Sequence, residues 1–274
     1  MDDSSAAPKP AIQSTTHNVE TVTWVKHRTD QYFSFGVTRP ASFRFRSGEF
    51  VMIGLPGEEP GSKPIMRAYS IASPSWAQEI EFFSIKVADG RLTSRLQNIQ
   101  VGDQILLARK STGTLVLDAL TPGKRLFLIG TGTGLAPWLS VARDPDAYER
   151  FGKVIVTHTV RSAVDLAYHD FFETELKRDE LLGELASDQL VYYPTVTREP
   201  FPQHGRITDL IRSGQLFRDL GLAQTTFNPA EDRIMLCGSM AMIKEAAALI
   251  ESHGLVEGSN AEPGEFVLER AFVG

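Results

Sequence analysis

Leu126-Phe127-Leu128-Ile129-Gly130-Thr131-Gly132-Thr133-Gly134-Leu135-Ala136-Pro137 is the stretch that decides the fold. An apolar run of strand length ends in a glycine-rich turn, and Pro137 then suits the first turn of a helix, where its missing N–H has no bond to lose. A strand, a glycine turn and a helix in that order make the first half of a βαβ unit. The turn lets backbone approach a phosphate closely, while the helix start offers free N–H groups and the positive end of its dipole. It is not the Gly-x-Gly-x-x-Gly fingerprint, and alone it also fits a glycine-rich turn with no ligand.

Downstream the same rhythm repeats. Strands are expected at Arg125–Ile129, Lys153–Thr159, Leu190–Thr195, Arg233–Cys237 and Glu265–Leu268, with helices at Ala136–Arg143, Val164–Lys177, Arg206–Arg212 and Met240–His253. Strands alternating with helices predict a doubly wound parallel sheet, whose ligands sit beyond the carboxyl ends of its strands. Upstream of the turn Thr121-Pro122-Gly123 the pattern is different. Short β segments are expected at Val19–His27, Tyr32–Thr38, Glu49–Leu55, Arg67–Ser73, Glu79–Val87, Gln104–Ala108 and Thr114–Leu117, with one helix at Leu92–Ile99. Many short strands with a single helix indicate a small antiparallel barrel or sandwich. The expected organisation is a flexible tail over residues 1–17, a β domain over 18–120 and an α/β domain over 121–274.

Composition agrees with two globular units. Hydrophobic residues at 42% and charged residues at 23% are the balance of a packed protein rather than a disordered one. No apolar run approaches the ~20 residues a bilayer span requires, and the polar first 17 residues lack the basic and apolar regions of a secretory signal. The single cysteine, Cys237, excludes an internal disulfide framework and a cluster held by several cysteines of this chain, which points to a reducing cytoplasm. Nothing in the pattern marks a nucleic-acid or membrane partner.

Charge is divided unevenly. Residues 1–120 hold 13 Lys and Arg against 12 Asp and Glu, whereas residues 121–274 hold 15 against 22, giving +1 and −7. Basic residues gather at Arg39, Arg44 and Arg46 and again at Lys86, Arg91, Arg95, Arg109 and Lys110. These are either solvated faces or a positive surface that steers an acidic partner. His17, His27, His158, His169, His204 and His253 show no metal-ligand spacing and read as structural residues, and Phe33, Phe35, Phe43 and Phe45 read as core or pocket lining.

Two further stretches carry chemistry. Cys237-Gly238-Ser239-Met240 ends a predicted strand immediately before a helix, on the same sheet edge as Gly130–Gly134. Alone, Cys237 reads equally as a small buried hydrophobe. Arg67-Ala68-Tyr69-Ser70 places a guanidinium fork, an aromatic plane and a hydroxyl within four residues, with Arg67 and Tyr69 on one side of the strand.

In this order, these residues resemble the ferredoxin-NADP reductase family over nearly the whole chain after the tail. Arg67-Ala68-Tyr69-Ser70 is similar to the family's flavin motif, Gly130-Thr131-Gly132-Thr133-Gly134 to its NADP pyrophosphate loop, and Cys237-Gly238-Ser239 to its nicotinamide-site motif. The ending Glu269-Arg270-Ala271-Phe272-Val273-Gly274 resembles a bacterial subgroup with an Ala-Phe-Val-Gly tail. The resemblance implies FAD on the barrel and NADP(H) on the α/β domain. Arg67 would hold the FAD pyrophosphate, Tyr69 would stack on the isoalloxazine, and Ser70 would place its hydroxyl near flavin N5. Phe83-Ser84-Ile85-Lys86-Val87 would meet the isoalloxazine and ribityl chain, and Gly90, Leu92, Thr93 and Ser94 would line the pyrophosphate. Thr197, Arg198 and Arg206 fall where the family binds the adenosine 2′-phosphate, with Arg161 a further candidate.

Ser70, Cys237 and Glu269 would surround the transfer centre, and no metal is implied. One departure stands out: plant-type members end in an aromatic ring that stacks on the flavin, and here the matching position is Ala271, whose methyl cannot stack. Phe272 and the tail would then cover FAD instead. The implied activity is hydride exchange between NADP(H) and FAD coupled to single-electron transfer with ferredoxin or flavodoxin, held in transient, electrostatically steered contact. The alternative is a free-flavin or diaphorase-type reductase, whose two cofactor sites would be alike.

Overall fold

Two sheets with different physics make up the molecule. A computed structural model describes residues 12–57, 59 and 62–269. The first sheet has six antiparallel strands: β1 (Asn18–His27), β2 (Tyr32–Thr38), β3 (Phe50–Leu55), β4 (Ile65–Ser70), β5 (Glu79–Ile85) and β6 (Gln104–Leu107). They run in the order β4-β3-β6-β1-β2-β5, and a bridge between Ile71 and Phe82 brings the two edges together into a nearly closed barrel. Near-closure removes the exposed edges that an open sheet would leave. The alternating residues Phe33, Phe35 and Val37 face inward with Val51, Ile53, Ile105 and Leu107, as a period of two requires.

Two expectations for this domain fail. The helix expected at Leu92–Ile99 is a single turn, α1 (Thr93–Leu96), because Leu92, Leu96 and Ile99 must all reach the barrel core and the chain then turns toward β6. Thr114–Leu117 is not a strand. Leu115, Val116 and Leu117 are buried in the core of the neighbouring domain, so the segment leaves the barrel to pack there.

The second sheet is parallel, with β7 (Arg125–Thr131), β8 (Lys153–Val160), β9 (Leu190–Val196), β10 (Asp232–Cys237) and β11 (Phe266–Leu268) in the order β11-β10-β7-β8-β9. Helices cover both faces: α2 (Ala136–Val141), α3 (Pro145–Arg150) and α4 (Gly183–Gln189) on one, α5 (Ile207–Arg212), α6 (Gln215–Asp219) and α7 (Met240–Ser252) on the other. Successive residues of β7 alternate between the two cores, Leu126 and Leu128 toward the first, Phe127 and Ile129 toward the second. This is why the strands read as continuous apolar runs.

The helix expected over Val164–Lys177 is broken. A 3₁₀ turn at Ala163–Asp165 is followed by a wide π turn at Phe171–Glu175 and a 3₁₀ turn at Leu176–Arg178. The wide turn lets adjacent rings serve different neighbours. Phe172 stacks on Tyr192 at 4.9 Å, whereas Phe171 meets Tyr168, and Tyr168 reaches across to Phe83 of the barrel at 5.2 Å.

The domains are locked by polar contacts as well as by this aromatic seam. Ser140 Oγ donates to the Ser73 carbonyl at 2.7 Å, and the Arg143 guanidinium donates to the Ala72 carbonyl at 2.6 Å and to Glu81 at 2.7 Å. The Tyr168 hydroxyl donates to Glu81 at 2.9 Å.

Candidate functional site

From β7 the chain runs outward to β8 and β9 on one side and returns to β10 and β11 on the other. The strand order therefore reverses between β7 and β10, where an open α/β sheet leaves its ligand crevice. The two glycine loops meet there. Gly134 lies so close to the end of β10 that a Cβ on it would stand 2.3 Å from the Cys237 carbonyl oxygen, and one on Gly238 would stand 2.2 Å from Thr131 Oγ1. Thr131 Oγ1 accepts the Ser239 N–H at 3.1 Å, joining the loops.

Along this edge runs a cleft of about 640 Å³. Its walls include Thr131, Gly132, Thr133, Gly134, Arg161, Thr197, Arg198, Arg206, Cys237, Gly238 and Ser239, so most residues expected at the second cofactor converge on one space. Ala241 and Met242, rather than Met240, continue the wall beyond Ser239. Backbone bonds set the far end: Thr197 N–H donates to the Val160 carbonyl and Arg198 N–H to the Arg161 carbonyl at 3.0 Å, which keeps the exits of β8 and β9 side by side. Arg161, Arg198 and Arg206 are exposed and, among the described residues, form no ion pair. Three guanidinium groups outside any ion pair along one cleft, with only Asp165 acting on Arg161 and Glu245 on Arg206 through space, suit an anionic, phosphorylated ligand.

His158, fully buried on β8, supports the loop from below, its Nε2 lying 3.1 Å from the Gly132 carbonyl and its Nδ1 3.4 Å from the Tyr192 hydroxyl. Burial lowers its pKa to about 4 against the opposing pull of the Gly132 carbonyl. The ring is neutral at neutral pH and its Nε2–H donates to that carbonyl.

On the barrel, Arg67 projects from β4, and its one hydrogen bond among the described residues goes to the adjacent Met66 carbonyl. Tyr69 packs edge-on to Phe82 and shares a 3.0 Å hydrogen bond with Ser84. Ala68 lies opposite Met52 on β3, Phe83 opposite Ser34 on β2 and Ile85 opposite Tyr32. Lys86 is tied to the preceding turn through its N–H to the Gln31 carbonyl and its Nζ to the Thr29 carbonyl, and Val87 is exposed. Gly90 lies against Thr93, whose hydroxyl a Cβ would strike, and Ser94 N–H donates to the Gly90 carbonyl while Leu92 is buried. The segment is thus a tight turn beside the Arg67 strand's sheet.

Barrel and α/β domain meet at Ser70, Cys237 and Glu269. The Ser70 hydroxyl is buried and has no hydrogen bond of ordinary geometry, although it faces the Cys237 thiol. Cys237 is wholly buried, and burial together with the Glu269 carboxylate pushes its thiol well above the usual range, against a smaller opposing effect of Ser70. It remains a protonated thiol and is no nucleophile. Glu269 follows β11, its N–H donating to the Leu236 carbonyl and its carboxylate accepting the Thr114 N–H. A buried hydroxyl whose neighbour is a weakly bonding thiol, beside an aromatic side chain and an exposed Arg67, suits a flavin site. Ala271 and Phe272 lie outside the described residues. Among the described residues no His, Cys, Asp or Glu cluster could hold a metal ion, and no helix is long and apolar enough to cross a membrane.

Sequence reasoning missed Gln31 and Tyr32, which close the cleft from the barrel side, and Glu245 of α7, which lines it near Arg206 while bound to Arg212 at 2.5 Å. No local motif marks them, since each enters the site from an element distant in the chain.

Residues 17–115 match the oxidoreductase FAD-binding domain family and residues 128–248 the oxidoreductase NAD-binding domain family. Fold and site therefore define a two-domain oxidoreductase that pairs a flavin-binding barrel with a nucleotide-binding α/β domain. The chain is 56% identical over 257 residues to the flavodoxin/ferredoxin–NADP reductase of Rhodobacter capsulatus, covering 94% of each. It is 52% identical over 255 residues to the ferredoxin–NADP reductase of Pseudomonas aeruginosa, covering 93% of this chain and 97% of that one. A solved ferredoxin NADP+ reductase from Neisseria gonorrhoeae with bound FAD and NADP superposes with a TM-score of 0.83 at 29% identity, covering 94% of this chain and 100% of that one. The chain belongs to the ferredoxin–NADP reductase family.

Proposed function

We propose that this chain is a ferredoxin or flavodoxin–NADP(+) reductase with FAD on the barrel, taken as residues 18–120, and NADP(H) on the α/β domain, residues 121–274. When bound, FAD exchanges a hydride with NADP(H) and exchanges electrons singly with a one-electron carrier. The protein's part is positioning. Arg67 holds the FAD pyrophosphate with the turn at Gly90 and Thr93, Tyr69 supports the flavin ring, and the Ser70 hydroxyl hydrogen-bonds its reactive nitrogen. Arg198 and Arg206 grip the 2′-phosphate, with Arg161 nearby. Cys237, as a protonated thiol, packs beside the nicotinamide, and Glu269 holds that wall in register with the barrel. Ala271 and Phe272 would complete the flavin site from the tail.

The observation that carries this reading is the convergence of Ser70, Cys237 and Glu269, from both domains, at the one edge where the glycine loops also meet. Such placement holds two reactants in an orientation that free solution would rarely supply. The lone buried cysteine fits a reducing cytoplasm. The test is the visible spectrum of the purified, FAD-loaded protein under anaerobic conditions: NADPH is expected to bleach the flavin, and the reduced protein to reduce ferredoxin or flavodoxin faster than free flavin. Failure to bleach overturns the reading, and faster reduction of free flavin selects the diaphorase-type alternative.

A further inference from the structure

Tyr32 begins β2 of the barrel, yet its ring is packed in the core of the α/β domain. The ring lies against Phe83 at 5.3 Å, and the hydroxyl emerges into the cleft. Tyr32 Oη stands only 3.3 Å from the position a Cβ on Gly132 would occupy, so it sits directly over the loop Thr131–Gly134. Other hydroxyls at this seam are satisfied, as Ser34 and Tyr168 show at 2.6 Å. The Tyr32 hydroxyl makes no hydrogen bond among the described residues, and the Gly132 carbonyl it overlies already faces His158. Burial, then the nearby Asp165 carboxylate, push the phenol up against the pull of Arg161, so it keeps its proton and can donate.

The position along the cleft selects the ligand group. One end is set by Cys237 and Ser239 beside the flavin seat, the other by Arg198 and Arg206, and Gly132 lies between them. A dinucleotide stretched from end to end would carry its diphosphate bridge across this loop. We propose that Tyr32 is a dinucleotide-binding residue contributed by the barrel, its hydroxyl donating to a diphosphate oxygen of NADP(H) held on the Thr131–Gly134 loop. The inference rests on the reading that the α/β domain binds NADP(H). It makes the bound diphosphate a tie between the two domains.

The test is Tyr32→Phe in the FAD-loaded protein, which keeps the ring on Phe83 and removes only the hydroxyl. Binding of NADP+ and of adenosine 2′-monophosphate, which has no diphosphate, is measured by calorimetry, together with FAD content and thermal midpoint. A hydrogen bond to a charged oxygen predicts about tenfold weaker NADP+ binding, with the adenosine 2′-monophosphate affinity, FAD content and midpoint unchanged. Equal NADP+ affinity in variant and parent overturns the proposal, as does a parallel loss for both ligands or a lowered midpoint, either of which makes Tyr32 a packing residue. A parent protein that holds FAD but binds no NADP+ overturns the underlying reading as well.

Discussion

Arg161, Arg198 and Arg206 reach the cleft from three chain segments, and among the described residues none of them forms an ion pair. Arg212, by contrast, is spent on Asp209 and Glu245. Since Arg212 holds Glu245, that carboxylate does not stand bare against a phosphate next to Arg206. Hydrogen bonds to charged groups contribute roughly 1.5–3 kcal/mol, and about 1.4 kcal/mol is tenfold in affinity. Arg206→Ala is therefore expected to raise KM for NADPH by about tenfold or more with little effect on NADH, which offers no 2′-phosphate. Steady-state kinetics with both coenzymes decide the matter. Equal losses would return Arg206 to an ordinary surface charge.

At the level of elements, the site depends on how closely two strand-to-helix turns approach. The loop after β7 and the loop after β10 touch through Gly134 and the Cys237 carbonyl, in a gap that leaves no room for a methyl group. Overpacking of this kind typically costs 1–3 kcal/mol or forces backbone apart. Gly134→Ala should lower the stability of the protein by about that amount in urea unfolding, and it should weaken NADP+ binding because the loop proposed to cradle the phosphates would be displaced. FAD retention should persist, since Arg67, Tyr69 and Ser84 lie on barrel strands β4 and β5, away from this loop contact. Loss of FAD and NADP+ together would mean that the loop contact holds the whole interface rather than the nucleotide loop.

Across the whole molecule, charge is segregated, with a near-neutral first domain and an acidic second one. The basic clusters are not uniform. Arg46 is held by Glu49 at 3.0 Å and lies 3.8 Å from Asp118, whereas Arg91 and Lys110 are exposed without an ion pair among the described residues. A carrier that docks by charge would therefore feel Arg91 and Lys110 more than Arg46. Electron transfer to ferredoxin or flavodoxin is expected to slow as ionic strength rises to 0.1 M, where the Debye length shrinks to about 10 Å, and dye reduction should respond less. Stopped-flow rates across a salt series, repeated with Arg91→Glu and Lys110→Glu, test this. A rate indifferent to both changes removes the steering surface.

The chain by itself determined the two-domain layout, the parallel order of strand and helix after Thr121, and the two glycine-bearing strand ends. These follow from local signals: period-two alternation, apolar runs buried on both faces, and turns that only glycine serves. The places of Thr131, Cys237 and Arg198 on the cleft wall, each at or just after one strand end, were legible for the same reason. Tertiary structure alone decided the rest. Leu115 and Val116 abandoned a strand because the neighbouring core offered greater burial, and the Phe171–Glu175 turn widened because adjacent rings had to reach different partners. Tyr32, Gln31 and Glu245 joined the cleft from elements far away in sequence. Their placement is set by how two cores pack against each other, a contact that no local pattern of residues encodes.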